Sequence, residues 1–151
     1  MNLPSVIGQN LHELLVKPWT LTLPTVIARV SLGALLIHHG SNKVFGGVSG
    51  LAGHLASLGW PMATVQAYLA SYTEFLGGVC LVVGLFTRLS AVFNVGLFAV
   101  IVFVFHGADT FSDKEPGLMF LVLSVIVLLL GPGRVSVDNF LFKKNAAREQ
   151  A

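Results

Sequence analysis

Four long apolar runs, about 24–45, 64–86, 89–106 and 116–130, alternate with short polar segments along this chain. Each approaches the roughly 20 residues that a helix needs to cross the hydrocarbon core of a bilayer. Lipid offers backbone N–H and C=O groups no partner, so each run is expected to be a helix that satisfies its own polar groups. Only Thr87 and Arg88 separate the second run from the third, which predicts a tight antiparallel hairpin. The pattern predicts one domain, an all-α membrane protein built as an antiparallel bundle of four transmembrane helices.

The segments between the runs differ in character. Residues 46–61 are rich in Gly and Ser and end on Trp60-Pro61, a helix stop followed by an interfacial anchor, with room for a short surface helix over Gly50–Leu58. Residues 107–115 carry Asp109, Asp113, Lys114 and Glu115. Upstream, Val6, Ile7, Leu11, Leu14 and Leu15 recur at helical spacing, so residues 1–23 are expected to be an interfacial helix or a flexible N-terminus.

Composition strengthens the membrane reading. Hydrophobic residues make up 54% of the chain and charged residues 11%, against roughly 25% charged in a soluble domain. A chain of this length cannot hide that much apolar surface from water. The net charge of +2 is too small and scattered for a nucleic-acid partner. One cysteine, Cys80, excludes an intrachain disulfide, a CxxC pair and a cysteine-rich metal site. The first twenty residues lack the pattern of a cleaved signal peptide. Lys17, Arg88, Arg134, Lys143, Lys144 and Arg148 fall on one side of a four-span arrangement, and Lys114 on the other. Both termini, with a tail over 131–151, are therefore expected in the cytoplasm.

An ionisable group inside a span is a functional candidate by default. Arg29, Gly33, Leu36, Gly40 and Lys43 fall within about 40° of one line on a helix, and His39 flanks that stripe while His38 points away. Glu74 shares a face with Gly77 and Gly78 near the middle of the second run. Two glycine-bearing polar faces on consecutive helices are expected to pack together, with Arg29 or His39 as the partner of Glu74. Lys43, at the membrane edge, is expected to snorkel to the interface. The third run carries Asn94, His106 and a density of phenylalanines suited either to lipid contact or to a flat apolar slot. Nothing sets two histidines at opposed axial positions, which argues against haem.

At the level of motifs, Arg29-Val30-Ser31-Leu32-Gly33 followed by His39-Gly40-Ser41-Asn42-Lys43-Val44-Phe45-Gly46 resembles the first-helix signature of the DoxX family. Glu74-Phe75-Leu76-Gly77-Gly78 with Gly84-Leu85-Phe86-Thr87-Arg88 is similar to that family's second-helix motif. Gly131-Pro132-Gly133-Arg134-Val135-Ser136-Val137-Asp138 is similar to its closing motif. Arg134 and Asp138 stand at i and i+4, where a turn lets them pair, and Arg88 joins them in a polar cluster at the cytoplasmic face. With Arg29 they suit an anionic headgroup or an acidic loop of a partner.

The resemblance implies a small membrane component of redox systems that work with quinone-linked oxidoreductases, in the cytoplasmic (inner) membrane of a bacterium. No flavin, iron–sulfur, copper or other metal motif is encoded, so any electrons must come through a quinone or a partner subunit. The leading expectation is a quinone or similar amphipathic ligand held between the first two helices. Glu74 and His39 would be its catalytic proton-handling groups, and Arg29, Lys43, Gly33, Gly40, Gly77 and Gly78 its binding residues. The alternative is a non-catalytic scaffold or assembly factor whose glycine faces dock the helices of a partner protein or of a second copy. A solute transporter is disfavoured, because four short spans leave little room for paired repeats.

Overall fold

The computed structural model describes residues 18–141; residues 1–17 of the N-terminal segment expected over 1–23, whether interfacial helix or flexible, and the end of the tail lie outside them. Among the described residues the chain is all-helical. Five helices follow in order: α1 (Pro18–Gly46), α2 (Val48–Ser57), α3 (Ala63–Val83), α4 (Thr87–Val100) and α5 (Phe111–Leu130). A π-helical segment, Ile101–Phe105, extends α4 without a break.

Helix α1 starts earlier than the apolar run because a proline is tolerated near a helix start, and Pro24 still lies in its first two turns. Helix α5 also begins upstream of its apolar run. Thr110 is its N-cap, and the Thr110 hydroxyl donates to the Asp113 carboxylate at 2.6 Å, so most of the acidic segment becomes the first turn. Gly84, in the left-handed conformation, ends α3, and its N–H donates to the Cys80 carbonyl.

Leu32, Leu36, Leu81, Ala91, Phe98 and Val127 form a buried core to which α1, α3, α4 and α5 all contribute. A second cluster, Val48, Leu55 and Ala67 with Trp60 and Phe105 against it, seats the short helix α2 over α3 and the end of α4. Two stretches, Leu21–Gly46 and Thr87–Phe105, are long and apolar enough to cross a membrane, and only 28% of each is buried within the chain. Their outward surface therefore needs a cover that the described residues do not supply. Large side chains such as Leu69, Phe93, Phe103, Met119 and Leu129 are likewise exposed.

Apolar burial gives helices in lipid no hydrophobic drive to associate, so close van der Waals fit has to hold them together. Glycine supplies it here. A Cβ at Gly33 would stand 2.7 Å from the Gly78 carbonyl oxygen, and one at Gly40 only 2.5 Å from the Phe75 backbone nitrogen. These contacts fix the register of α1 against α3. As α1 is followed back from Gly40 to Gly33, its neighbours on α3 advance from Phe75 to Gly78 and Val82, so the two helices run in opposite directions.

Candidate functional site

That register sets which polar groups meet. Lys43, one turn from the end of α1, comes level with Glu74 on α3, and its ammonium donates to both carboxylate oxygens at 2.5 and 2.6 Å. Glu74 is 2% exposed, whereas the Lys43 side chain is 32% exposed. The buried carboxylate is thus held by a cation that reaches it from the rim. Arg29 lies elsewhere. Its guanidinium donates to the carbonyls of Leu81 at 2.7 Å and Val82 at 3.2 Å, and to that of Val135 at 2.7 Å. It ties the last turn of α3 to the closing segment, about 12 Å of helix rise from Glu74.

A cavity of about 250 Å³ opens over the Lys43–Glu74 pair. Leu51 and Leu55 of α2 cover it, Ala70 and Gln66 continue its α3 wall, and Leu97, Val100, Ile101, Phe105 and His106 form the opposite wall. Trp60 closes a corner, its indole N–H donating to the Gln66 amide oxygen at 2.6 Å. The π-helical segment shapes this wall. The His106 N–H reaches back to the Ile101 carbonyl, and the wider turn brings Phe105 and His106 to the cavity. His106 Nδ1 lies 2.7 Å from an Asp109 carboxylate oxygen.

At the other end of the helices Asp138 is 8% exposed. Its carboxylate accepts from the backbone N–H groups of Phe86 at 2.8 Å and Thr87 at 2.9 Å. These are donors at the start of α4, which have no acceptor within the helix. Phe86 adopts a left-handed conformation, φ 49°, costly for a side chain with a Cβ, and the bond from Asp138 helps to hold it there. The Ser136 hydroxyl accepts from the Asn139 N–H at 3.1 Å and caps a helical turn over 137–141.

The family model described as DoxX matches residues 25–107 of the chain. The chain belongs to the DoxX family. Over 125 residues it is 33% identical to Inner membrane protein YqjF of Escherichia coli (strain K12), covering 79% of this chain and 92% of the relative. Over 120 residues it is 32% identical to "Putative oxidoreductase CatD" of Bacillus subtilis (strain 168), covering 79% of this chain and 87% of that protein. No solved structure matches it. This DoxX chain is therefore a membrane protein. The DoxX match contains Lys43, Gln66, Glu74 and His106, and it ends before Asp138.

Several side chains singled out in the DoxX motifs take other places than the sequence suggested. The partner of Glu74 is Lys43, and not Arg29 or His39. Lys43 turns inward because a carboxylate lies within reach, which offsets the cost of leaving water. His39 is exposed on the far side of α1, its ring edge-on to Phe120 of α5 at 5.4 Å. Gly33 and Gly78 meet each other and Gly40 meets the Phe75 backbone, while a Cβ on Gly77 would stand 2.9 Å from Asn94 Nδ2. These glycines join helices and do not line the cavity. Asp138 binds backbone N–H groups in place of Arg134, which is exposed. Arg88, also exposed, lies against Gly131, where a Cβ would stand 3.2 Å from its Nε. The three arginines do not gather into one open cluster, since Arg29 is buried and bound to carbonyls. Sequence reasoning missed Trp60, Gln66 and His106 as cavity residues, and only the aromatic density before His106 hinted at them.

Proposed function

We propose that this DoxX protein binds a quinone, or an amphipathic molecule of like chemistry, in the cavity over Lys43 and Glu74. It would act as the membrane subunit of a redox system whose partner oxidoreductase supplies or takes the electrons. The observation that carries this reading is a buried carboxylate, paired with a lysine, as the polar floor of a largely apolar cavity. Such a pair is costly to keep from water and weak evidence for stability, so a use for it is the simpler explanation. A volume of about 250 Å³ is just below the roughly 300–1,000 Å³ of drug-sized sites and suits a single substituted ring.

The residues present fit the group. Lys43 would offer a donor to a carbonyl oxygen, Glu74 would hold and exchange a proton beside it, and Trp60 and Phe105, whose rings pack edge to face at 5.4 Å, would give an apolar wall. When bound, a quinone would supply two-electron, two-proton chemistry. The name of the Bacillus subtilis relative, an oxidoreductase, supports a redox setting. Four spans with both termini in the cytoplasm complete the proposal, on the distribution of Lys and Arg. Gly33, Gly40, Gly77 and Gly78, the glycines that the scaffold alternative would use, contact this chain's own helices, which favours the ligand reading.

Titrating the purified protein with a short-chain quinone analogue tests the reading. Saturable binding is expected, weakened about tenfold by Glu74→Gln, the size of one hydrogen bond to a charged group. His39→Ala should leave it unchanged. Absence of saturable binding to the wild type would end the proposal.

A further inference from the structure

The cavity has a direction. Its inner end is the Glu74 carboxylate, 2% exposed, which Lys43 reaches from the rim, and Leu97 lines the facing wall. From Leu97 the wall continues through Val100, Ile101 and Phe105 to His106, a rise of about 13 Å along the helix. Polar side chains mark this course. Gln66 lines it midway, and His106 lines it at the end nearest the 107–110 turn. Because the Asp109 carboxylate accepts from Nδ1, the hydrogen of a neutral His106 sits there, and Nε2 is the polar atom left on a residue that borders the cavity. Asp109 itself is 48% exposed. On the other side of the pair the chain is shut. Leu32, Leu36, Leu81 and Phe98 are buried there, and beyond them the Arg29 guanidinium is engaged by carbonyls.

We propose that this cavity is a hydrated proton path with His106 and Asp109 at its mouth. It puts Glu74 in exchange with the side of the membrane that bears residues 107–110, and not with the side that bears 131–138, at the opposite end of α5. The cavity has room for several waters, and along its otherwise apolar wall Lys43, Glu74, Gln66 and His106 supply part of the two to four partners that each water needs. A proton enters at His106 Nε2, passes through waters and reaches a Glu74 oxygen. Only N–H and O–H bonds are exchanged, and no electron moves. Other charged or titratable groups near the mouth are Asp113, whose carboxylate accepts from the Thr110 hydroxyl, Lys114, whose ammonium donates to the Gly107 carbonyl, and His54, which meets the Phe105 ring. The path itself stands on the cavity. Only the use of its protons rests on the quinone reading.

The test uses the full-length protein in sealed vesicles, in a Cys80→Ser background, with a small membrane-impermeant thiol reagent applied to one side at a time. The reagent attacks the thiolate, which forms only where water reaches. Ala70→Cys and Gln66→Cys are both expected to react from the side that labels Ser112→Cys. Neither should react from the side that labels Arg134→Cys. His106→Trp should slow labelling of Ala70→Cys about tenfold by narrowing access, with Ser112→Cys unaffected. Cavity cysteines that react from neither side, or from the Arg134 side, would overturn the path. If they label as expected while wild-type protein binds no quinone analogue, the path stands and the ligand reading fails.

Discussion

Lys43→Met alone should destabilise the folded protein by about 3 kcal/mol, because it leaves the Glu74 carboxylate buried without its cation. Adding Glu74→Leu to it should recover most of that loss, since an apolar pair in place of a buried ion pair is often neutral or better. The comparison separates a pair kept for stability from one kept for use. Thermal unfolding in detergent, read as the shift of each variant from wild type, measures both values. In the proposed site the double variant is stable yet binds no quinone analogue. A double variant as unstable as Lys43→Met would mean that the pair is needed for the fold itself.

A methyl group in the α1–α3 seam should be as damaging as the loss of a charge. Gly40→Ala would place its Cβ 2.5 Å from backbone of Phe75, and Gly33→Ala would place its Cβ 2.7 Å from that of Gly78. Backbone cannot rotate aside as a side chain can, so the helices must separate, at a cost of about 3 kcal/mol at the upper end of ordinary overpacking. Gly96→Ala is the control, because a Cβ there meets nothing within 4 Å and alanine favours a helix by roughly 1 kcal/mol over glycine. Chemical unfolding of the three variants should therefore give two large losses and one small gain. Lys43 and Glu74 should also part in the seam variants, because the same register brings them together.

How much of this was legible in the sequence depends on whether the cause was local. The helices were, because apolar runs of spanning length permit little else, although Thr110 and Asp113 moved the start of α5 upstream of its run. The burial of Glu74 was legible too, since a short side chain at mid-helix cannot reach the interface. Its partner was not. Periodicity puts Arg29, Gly33, Gly40 and Lys43 on one face but says nothing of how far α1 slides along α3. The contacts of Gly40 and Gly33 decide that slide and bring Lys43 level with Glu74, leaving Arg29 to the end of α3. Asp138 shows the same limit. Spacing offered Arg134 four residues away, but the start of α4, some fifty residues away in sequence, had open N–H donors. His106 depended on a π-helical segment that no residue pattern marks.

The claim at the centre is that the cavity over Lys43 and Glu74 holds a quinone in the membrane where this DoxX protein works. The most direct measurement is to purify wild type and Glu74→Gln from native membranes in mild detergent, extract each, and quantify isoprenoid quinone per chain by mass spectrometry. Near-stoichiometric quinone on the wild type, with clear depletion on a folded Glu74→Gln, is the expected result. Wild-type protein that carries phospholipid but no quinone above the level of an unrelated membrane protein would contradict it.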